Sequence, residues 1–210
     1  MHTNRPATLR KTDEGRTISV VGDIYRFLAT GDETNGKYAI WEAIVPPGGG
    51  PPPHVHSREE EAFYILEGEI TIQIGEQRIV ATQGMFANMP VGTPHSFKNE
   101  SSLPAKMLIS VSPAGLEHMF FEIGAAVPQG ATTVPLPTKA EIEKLLKIAP
   151  QYGIEIKLPH HDLRASGSKN LPNNRCVEGY ALTANRFDCE SRRDSPTGIL
   201  AASNLTRTSS

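Results

Sequence analysis

From Tyr38 to Val45 the chain alternates strictly: Tyr38, Ile40, Glu42 and Ile44 fall on one side, Ala39, Trp41, Ala43 and Val45 on the other. Side chains two apart on an extended chain share a face, so the stretch predicts a half-buried strand. The same period recurs at Ile70, Ile72 and Ile74, and at Ala105, Met107, Ile109 and Val111. Thr17 to Leu28, rich in β-branched and aromatic residues, predicts a further strand, as do Glu61 to Glu67 and the short run Gln77 to Ala81. Turn signals separate these runs: Gly31 to Gly36 with its Asn-Gly pair, Gly68, Gly75-Glu76, and the turn-rich stretch from Gly84 to Asn99. The run from Thr17 and the run from Tyr38 form an expected early hairpin across the Asn-Gly turn. Many short strands punctuated this often specify an all-β sandwich or barrel.

The period changes after residue 112. Ser112 is an expected cap and Pro113 suits a first helical turn, ahead of Leu116, Met119, Phe120 and Ile123 at helical spacing. Thr138 to Glu141 reads as a capping box, followed by the stripe Ile142, Leu145, Leu146 and Ala149 before Pro150. Both stripes are expected to cover a core, with a dimer contact as the alternative. Ile154 to Leu158 could add an edge strand. Pro46 to Pro53 holds five prolines and three glycines, cannot be regular structure, and is expected to form a tight corner delivering His54. The expected organisation is a flexible arm over 1–16, a barrel with C-terminal helices packed outside over 17–159, and a low-order tail over 160–210. The tail holds seven basic and five acidic residues and no sustained period. Its Asn204-Leu205-Thr206 acceptor pattern is read as accidental.

Composition narrows this picture. At 210 residues there is room for one well-buried domain plus extras. A net charge of -2 gives no electrostatic case for nucleic acid or an anionic membrane. No apolar run is long enough to span a bilayer, and the polar N-terminus lacks a signal-peptide core, so a cytoplasmic location is expected. The two cysteines, Cys176 and Cys189, both lie beyond residue 160. Any metal in the expected barrel must therefore be held by nitrogen and oxygen.

That matters because of His54-Val55-His56-Ser57-Arg58-Glu59-Glu60-Glu61. On a strand His54 and His56 turn their rings to one side, and a carboxylate from the next strand and a histidine from a third would complete a metal site. An H-x-H alone is common and weak evidence. The flanking spacing is not common. Gly48, His54, His56, Glu61 and Gly68 form one set, separated by five, one, four and six residues. Gly84, Pro90, Gly92, His95 and Asn99 form a second, separated by five, one, two and three.

This pair of patterns resembles the two signature motifs of the cupin family at every position just given, over residues 17–112. The resemblance implies a small jelly-roll β-barrel, a homodimer, and a metal held by His54, His56, Glu61 and His95. The family's pattern admits three or four residues after the second histidine, and the six-residue gap to Gly68 selects Glu61 over Glu60. Glu59 and Glu60 are expected to be solvated or paired with Arg58. Asn99 and Pro90 are expected to shape turns rather than take part in chemistry. The stretch from Pro51 to Gly68, with Ala114 to Glu117, further resembles bacterial single-domain cupins akin to quercetin 2,3-dioxygenase.

The resemblance implies a metal-dependent dioxygenase acting on a small hydroxylated or enolisable molecule, flavonol- or diketone-like, with Glu61 as both ligand and base. Fe, Mn, Ni, Co, Cu and Zn all suit such a donor set. Phe63, Ile65, Phe86, Met89 and Phe97 are expected to shape the pocket or simply to fill core. Two alternatives stand beside this: a non-oxidative isomerase or lyase, and a small-molecule-binding cupin with a structural metal. No helix-turn-helix pattern accompanies the barrel, which speaks against a DNA-bound regulator.

Overall fold

The computed structural model describes residues 5–128 and 130–157. The tail from residue 160, with Cys176, Cys189 and Asn204, lies outside the described residues, as do residues 1–4 of the expected arm.

The first β-rich run is not one strand but two. β1 (Thr17–Val20) and β2 (Asp23–Ala29) are folded back on each other through Val21 and Gly22, both at positive φ. β-Branched Val20 and Val21 lead into the reversal and Ile24 follows it, so a single glycine is the only local mark of the turn. β2 also pairs with β3 (Ala39–Val45), which gives the expected hairpin. The loop between them winds one helical turn, α1 (Gly31–Thr34), and leaves it through Asn35 in the left-handed region. On β3 the alternation is realised in full: Ala39, Trp41, Ala43 and Val45 are buried and the other face looks outward.

Seven strands then run in order: β4 (His54–His56), β5 (Glu60–Glu67), β6 (Glu69–Ile74), β7 (Gln77–Thr82), β8 (Phe86–Met89), β9 (His95–Lys98) and β10 (Ala105–Ser112). Beyond them lie α2 (Leu116–Ile123), β11 (Ala125–Ala126), α3 (Lys139–Ile148), a 3-10 turn over Ala149–Tyr152 and β12 (Ile154–Ile156). All pairing is antiparallel. One sheet has the order β11-β1-β2-β3-β10-β5-β8, the other β12-β4-β9-β6-β7, and together they form a jelly-roll β-barrel.

The core sits between the sheets and extends under α2. Trp41 is ringed by Tyr25, Phe27 and Phe120 at centroid distances of 5.8, 5.6 and 5.4 Å. Burying side chains of this size stabilises the fold by about 1.5–3 kcal/mol each. Leu116, Met119, Phe120 and Ile123 supply the buried face of α2, as the stripe predicts. Its start differs from expectation. Ser112 cannot cap the helix because it is the last residue of β10, paired with Glu60, and its hydroxyl donates to the Lys37 carbonyl. Gly115 takes the N-cap position instead. The α3 capping box is as read, with Thr138 and Glu141 bonding reciprocally. β12 lies at the edge of its sheet, against β4.

The Pro/Gly corner is stitched rather than loose. The Gly48 amide donates to the Asn99 carbonyl at 2.7 Å and the Asn99 amide donates to Gly49 at 3.0 Å. The Asn99 side-chain amide donates to Val45 and Leu103, both at 2.8 Å. Gly50, at φ +120°, passes so close to β9 that a Cβ there would lie 2.2 Å from the Phe97 carbonyl oxygen. No neighbouring backbone can yield that much. Gly50→Ala is expected to lower stability in urea unfolding by about 3 kcal/mol or more. Gly75→Ala, at φ +55° but with open space around it, is expected to lose only about 1 kcal/mol. Equal losses would remove the corner's claim to be a fixed buckle.

A candidate metal centre and its cavity

His54 and His56 face inward from a strand only three residues long, with Val55 between them. That strand is held on both sides, by β9, where His54 opposes His95, and by β12, where Ile154 opposes His56 and Ile156 opposes His54. Glu61 comes from the facing sheet. All four side chains are buried, and one potential ligand atom from each lies within 4.8 Å of the others. The residues expected to form a site are thus brought together. Four nitrogen and oxygen donors converging in this way could hold a divalent transition metal.

Two of the imidazoles are fixed in one tautomer. Nδ1 of His54 donates to the Pro52 carbonyl at 2.8 Å and Nδ1 of His95 to the Thr93 carbonyl at 2.9 Å. Each interaction leaves Nε2 for the centre, as metal-ligating histidines require. Oε2 of Glu61 lies 2.7 Å from Nε2 of His95 and 3.4 Å from Nε2 of His56. Neither ring nitrogen of His56, though buried, has a hydrogen-bond partner among the described residues. A buried polar atom left so is costly unless something binds it, and a metal ion would satisfy it.

Charge in the cluster follows its surroundings. Burial lowers the His54 pKa to about 4 and keeps its ring neutral. Burial also pulls on His56, but Glu59 and Glu61 outweigh it and raise that pKa to about 9. For Glu61 burial works against ionisation, yet His56 and His95 overcome it and hold the carboxyl well below the usual carboxylate range.

Glu59 is paired with Arg58, one of the two arrangements expected, but is not solvated. It is 2% exposed, with one oxygen 3.7 Å from Nδ1 of His56 and the other 3.4 Å from Arg58. The spacing of three from His56 was the signal that could have found it. Glu60 does face solvent, near the Asn88 amide.

A cavity of about 320 Å3 opens over the cluster, between β2 and β4 and beneath the helices. Its wall is largely apolar and includes Trp41, Phe97, Phe120 and Ile142, Leu145 and Leu146 of α3. Of the stripe expected for α3, Ala149 is in the core and Leu145 packs against it, while Ile142 and Leu146 serve the cavity roof rather than the core, with Leu146 partly exposed. Of the apolar residues expected to shape the pocket, only Phe97 lines it; Phe63, Ile65 and Met89 fill the core. Phe86 is 65% exposed, because its partner across the ladder is the outward-facing Tyr64. Asp23 was missed altogether. It shares the inward face of β2 with Tyr25 and Phe27, lines the cavity, and is buried. Burial raises its pKa to about 8, with the Gly50 amide a partial offset.

Residues 41–111 match the family model described as "Cupin domain". A quercetin 2,3-dioxygenase of Bacillus subtilis (strain 168) is 28% identical over 114 residues, which cover 54% of this chain and 34% of that protein. One from Aspergillus japonicus is 24% identical, covering 65% and 41%. The chain thus spans between a third and two fifths of the length of these two relatives. An uncharacterised protein of Methanocaldococcus jannaschii is 34% identical over 97 residues, covering 46% of this chain and 78% of the relative. Among solved structures, an RmlC-like cupin from Shewanella frigidimarina aligns over 55% of this chain and 99% of its own, with 16% identity and a TM-score of 0.48. Among the described residues no helix is long and apolar enough to cross a membrane.

The Asp23 environment has a measurable signature. The unfolded chain releases this proton near the ordinary value of 3.8, whereas the folded chain holds it to about 8. Folding therefore becomes less favourable as pH rises between these values. Urea unfolding of Asp23→Asn and the native chain should agree near pH 4. By pH 8 the variant should be the more stable, by a few kcal/mol at about 1.4 kcal/mol per unit of pKa difference. Parallel pH profiles would show that the carboxyl is ionised in the fold.

Proposed function

The chain belongs to the cupin superfamily, and on that footing we propose that it is a metal-dependent dioxygenase of a small, largely apolar, hydroxylated or enolisable substrate, flavonol- or diketone-like. The convergence of His54, His56, Glu61 and His95, the first three of which line the cavity, carries the reading. Quercetin dioxygenases among its relatives support the reaction class. A lining without Lys or Arg favours an uncharged substrate over a sugar phosphate.

A divalent transition metal bound by these four residues would supply Lewis acidity and redox access to O2, with one or two coordination positions free. The chain's own contributions follow from its geometry. The Pro52 and Thr93 carbonyls hold His54 and His95 in the ligating tautomer. Glu61, kept ionised by its imidazoles, accepts the proton of the substrate hydroxyl or enol. The apolar wall and the α3 roof exclude water while both oxygen atoms of O2 enter the product and a carbon-carbon bond breaks. No external reductant is consumed. The homodimer implied by the family belongs to this reading.

The full chain, reconstituted with Fe, Mn, Co, Ni or Cu, is expected to retain about one ion by elemental analysis and to take up O2 with quercetin or a β-diketone. Chelation should abolish the uptake. His95→Ala should fold and lose most of its metal; Glu61→Gln should lower turnover by about 100-fold or more. A protein that loads none of these ions would end the metal reading. Full loading with no oxygen uptake would turn the assignment to a non-oxidative cupin.

A further inference from the structure

Four acidic side chains are buried among the described residues, and three have charged neighbours or a donor at each oxygen. Glu117 accepts the amides of Gly31 and Gly115, both at 2.7 Å, and so ties α2 to the α1 loop. Glu59 lies between Arg58 and His56, and Glu61 among the imidazoles. Asp23 differs. It is 3% exposed, the Gly50 amide is the one donor that lowers its pKa, and its Oδ1 has no hydrogen-bond partner among the described residues. A carboxyl in that condition destabilises a fold, and an apolar residue would serve the core better.

The corner is shaped to admit it. A Cβ on Gly49 would lie 2.6 Å from Oδ1 of Asp23, so the second glycine of the Gly48-Gly49-Gly50 run leaves the room that the carboxyl occupies. Asp23 also lines the cavity that holds His54, His56 and Glu61. Tyr25, two residues on along the same face, has its hydroxyl pKa raised by burial and then by the charges of Asp23 and Glu61. A single apolar chamber therefore carries the metal-binding cluster and one other acidic group. Pockets of this kind orient ligands through a few placed polar groups.

We propose that Asp23 is a specificity-determining residue, hydrogen-bonding a phenolic hydroxyl of a flavonol whose ketone and 3-hydroxyl face the metal-binding cluster. The inference rests on the dioxygenase reading and narrows it from small enolisable molecules to a rigid aromatic one with oxygen at both ends. Burial keeps the proton on Asp23 at neutral pH, so the group both donates and accepts. A phenol does the same, and the two are complementary. Trp41, Phe97 and Phe120 line the same cavity, which suits an aromatic body. A short diketone would leave Oδ1 of Asp23 unpartnered.

The test uses the metal-loaded full chain and two probes with the same chelating group: quercetin, and 3-hydroxyflavone, which lacks the other ring hydroxyls. Binding is read from the shift of the flavonol absorption band. The native protein is expected to prefer quercetin by about tenfold or more, the size of one buried hydrogen bond. Asp23→Ala should bring the two affinities within about twofold at unchanged metal content. Asp23→Asn, which keeps a donor and an acceptor, should retain most of the preference. Should Asp23→Ala not fold, Asp23→Leu replaces it. A preference that survives removal of the carboxyl, or a native protein that does not discriminate, overturns the role of Asp23 and leaves the dioxygenase reading standing. A fully loaded native protein that binds neither flavonol overturns the role of Asp23, and if it also takes up no O2 with a β-diketone the dioxygenase reading falls with it.

Discussion

A carboxylate inside an apolar barrel must be given positive charge or hydrogen bonds, and the placement of Glu61 imposes that demand on the whole molecule. At separations of about 3 Å in a poorly polarisable interior, the attraction between opposite charges is many times its value in water. Here it is supplied by imidazoles from two strands of the opposite sheet. Those imidazoles must in turn be held, because a three-residue strand has little ladder of its own. β9 grips β4 on one side and β12 on the other, while the Ser57 amide donates to Gly153 and the Lys157 amide to Pro53. Arg58 closes the join by donating to the Tyr152 carbonyl at 2.6 Å. The segment after the barrel is thus part of the site's scaffold. α3 and β12 are adjacent in sequence, so the unit that roofs the cavity also braces the two histidines.

The same constraint explains why the spacing of the two motifs was so readable. Gly48 and Asn99, at their outer ends, are bonded to one another through the backbone. That buckle sets where His54 begins and where the strand carrying His95 ends. Glycine is required at Gly50 by the approach of Phe97, and asparagine at 99 by the two carbonyls its side chain serves. These are local demands, and local demands leave marks in sequence. The alternation on β3, β6 and β10 was legible for a similar reason, since one face of each strand meets the core.

What escaped reading depended on partners distant in the chain. Phe86 looks like a core residue until the register with β5 sets it beside Tyr64, on the outside. Ser112 looks like a cap until pairing with Glu60 extends β10 through it. Glu59 looks, like Glu60, solvated or paired with Arg58 until the fold sets its other oxygen 3.7 Å from the His56 ring. Asp23 was hidden in another way. Its inward position on β2 follows from simple alternation with Tyr25 and Phe27, but within one unbroken strand from Thr17 to Leu28 nothing local except the one glycine marks the reversal at Val21 and Gly22 that sets this face.

The two cavity carboxyls make a physical contrast that bears on what the barrel can bind. Glu61 is surrounded by imidazoles and gives up its proton; Asp23 has only the Gly50 amide for company and keeps one to about pH 8. Environment alone separates two groups of nearly the same intrinsic acidity, and such a separation assigns an ionised and a proton-bearing role within one chamber. An ionised group next to a metal-binding cluster suits the removal of a proton. A neutral carboxyl on an apolar wall suits recognition, because it offers a donor without introducing a charge that the ligand must match. On the proposed reading, the ligand is a neutral molecule that gives up a proton beside the imidazole cluster and is held by a hydrogen bond at Asp23.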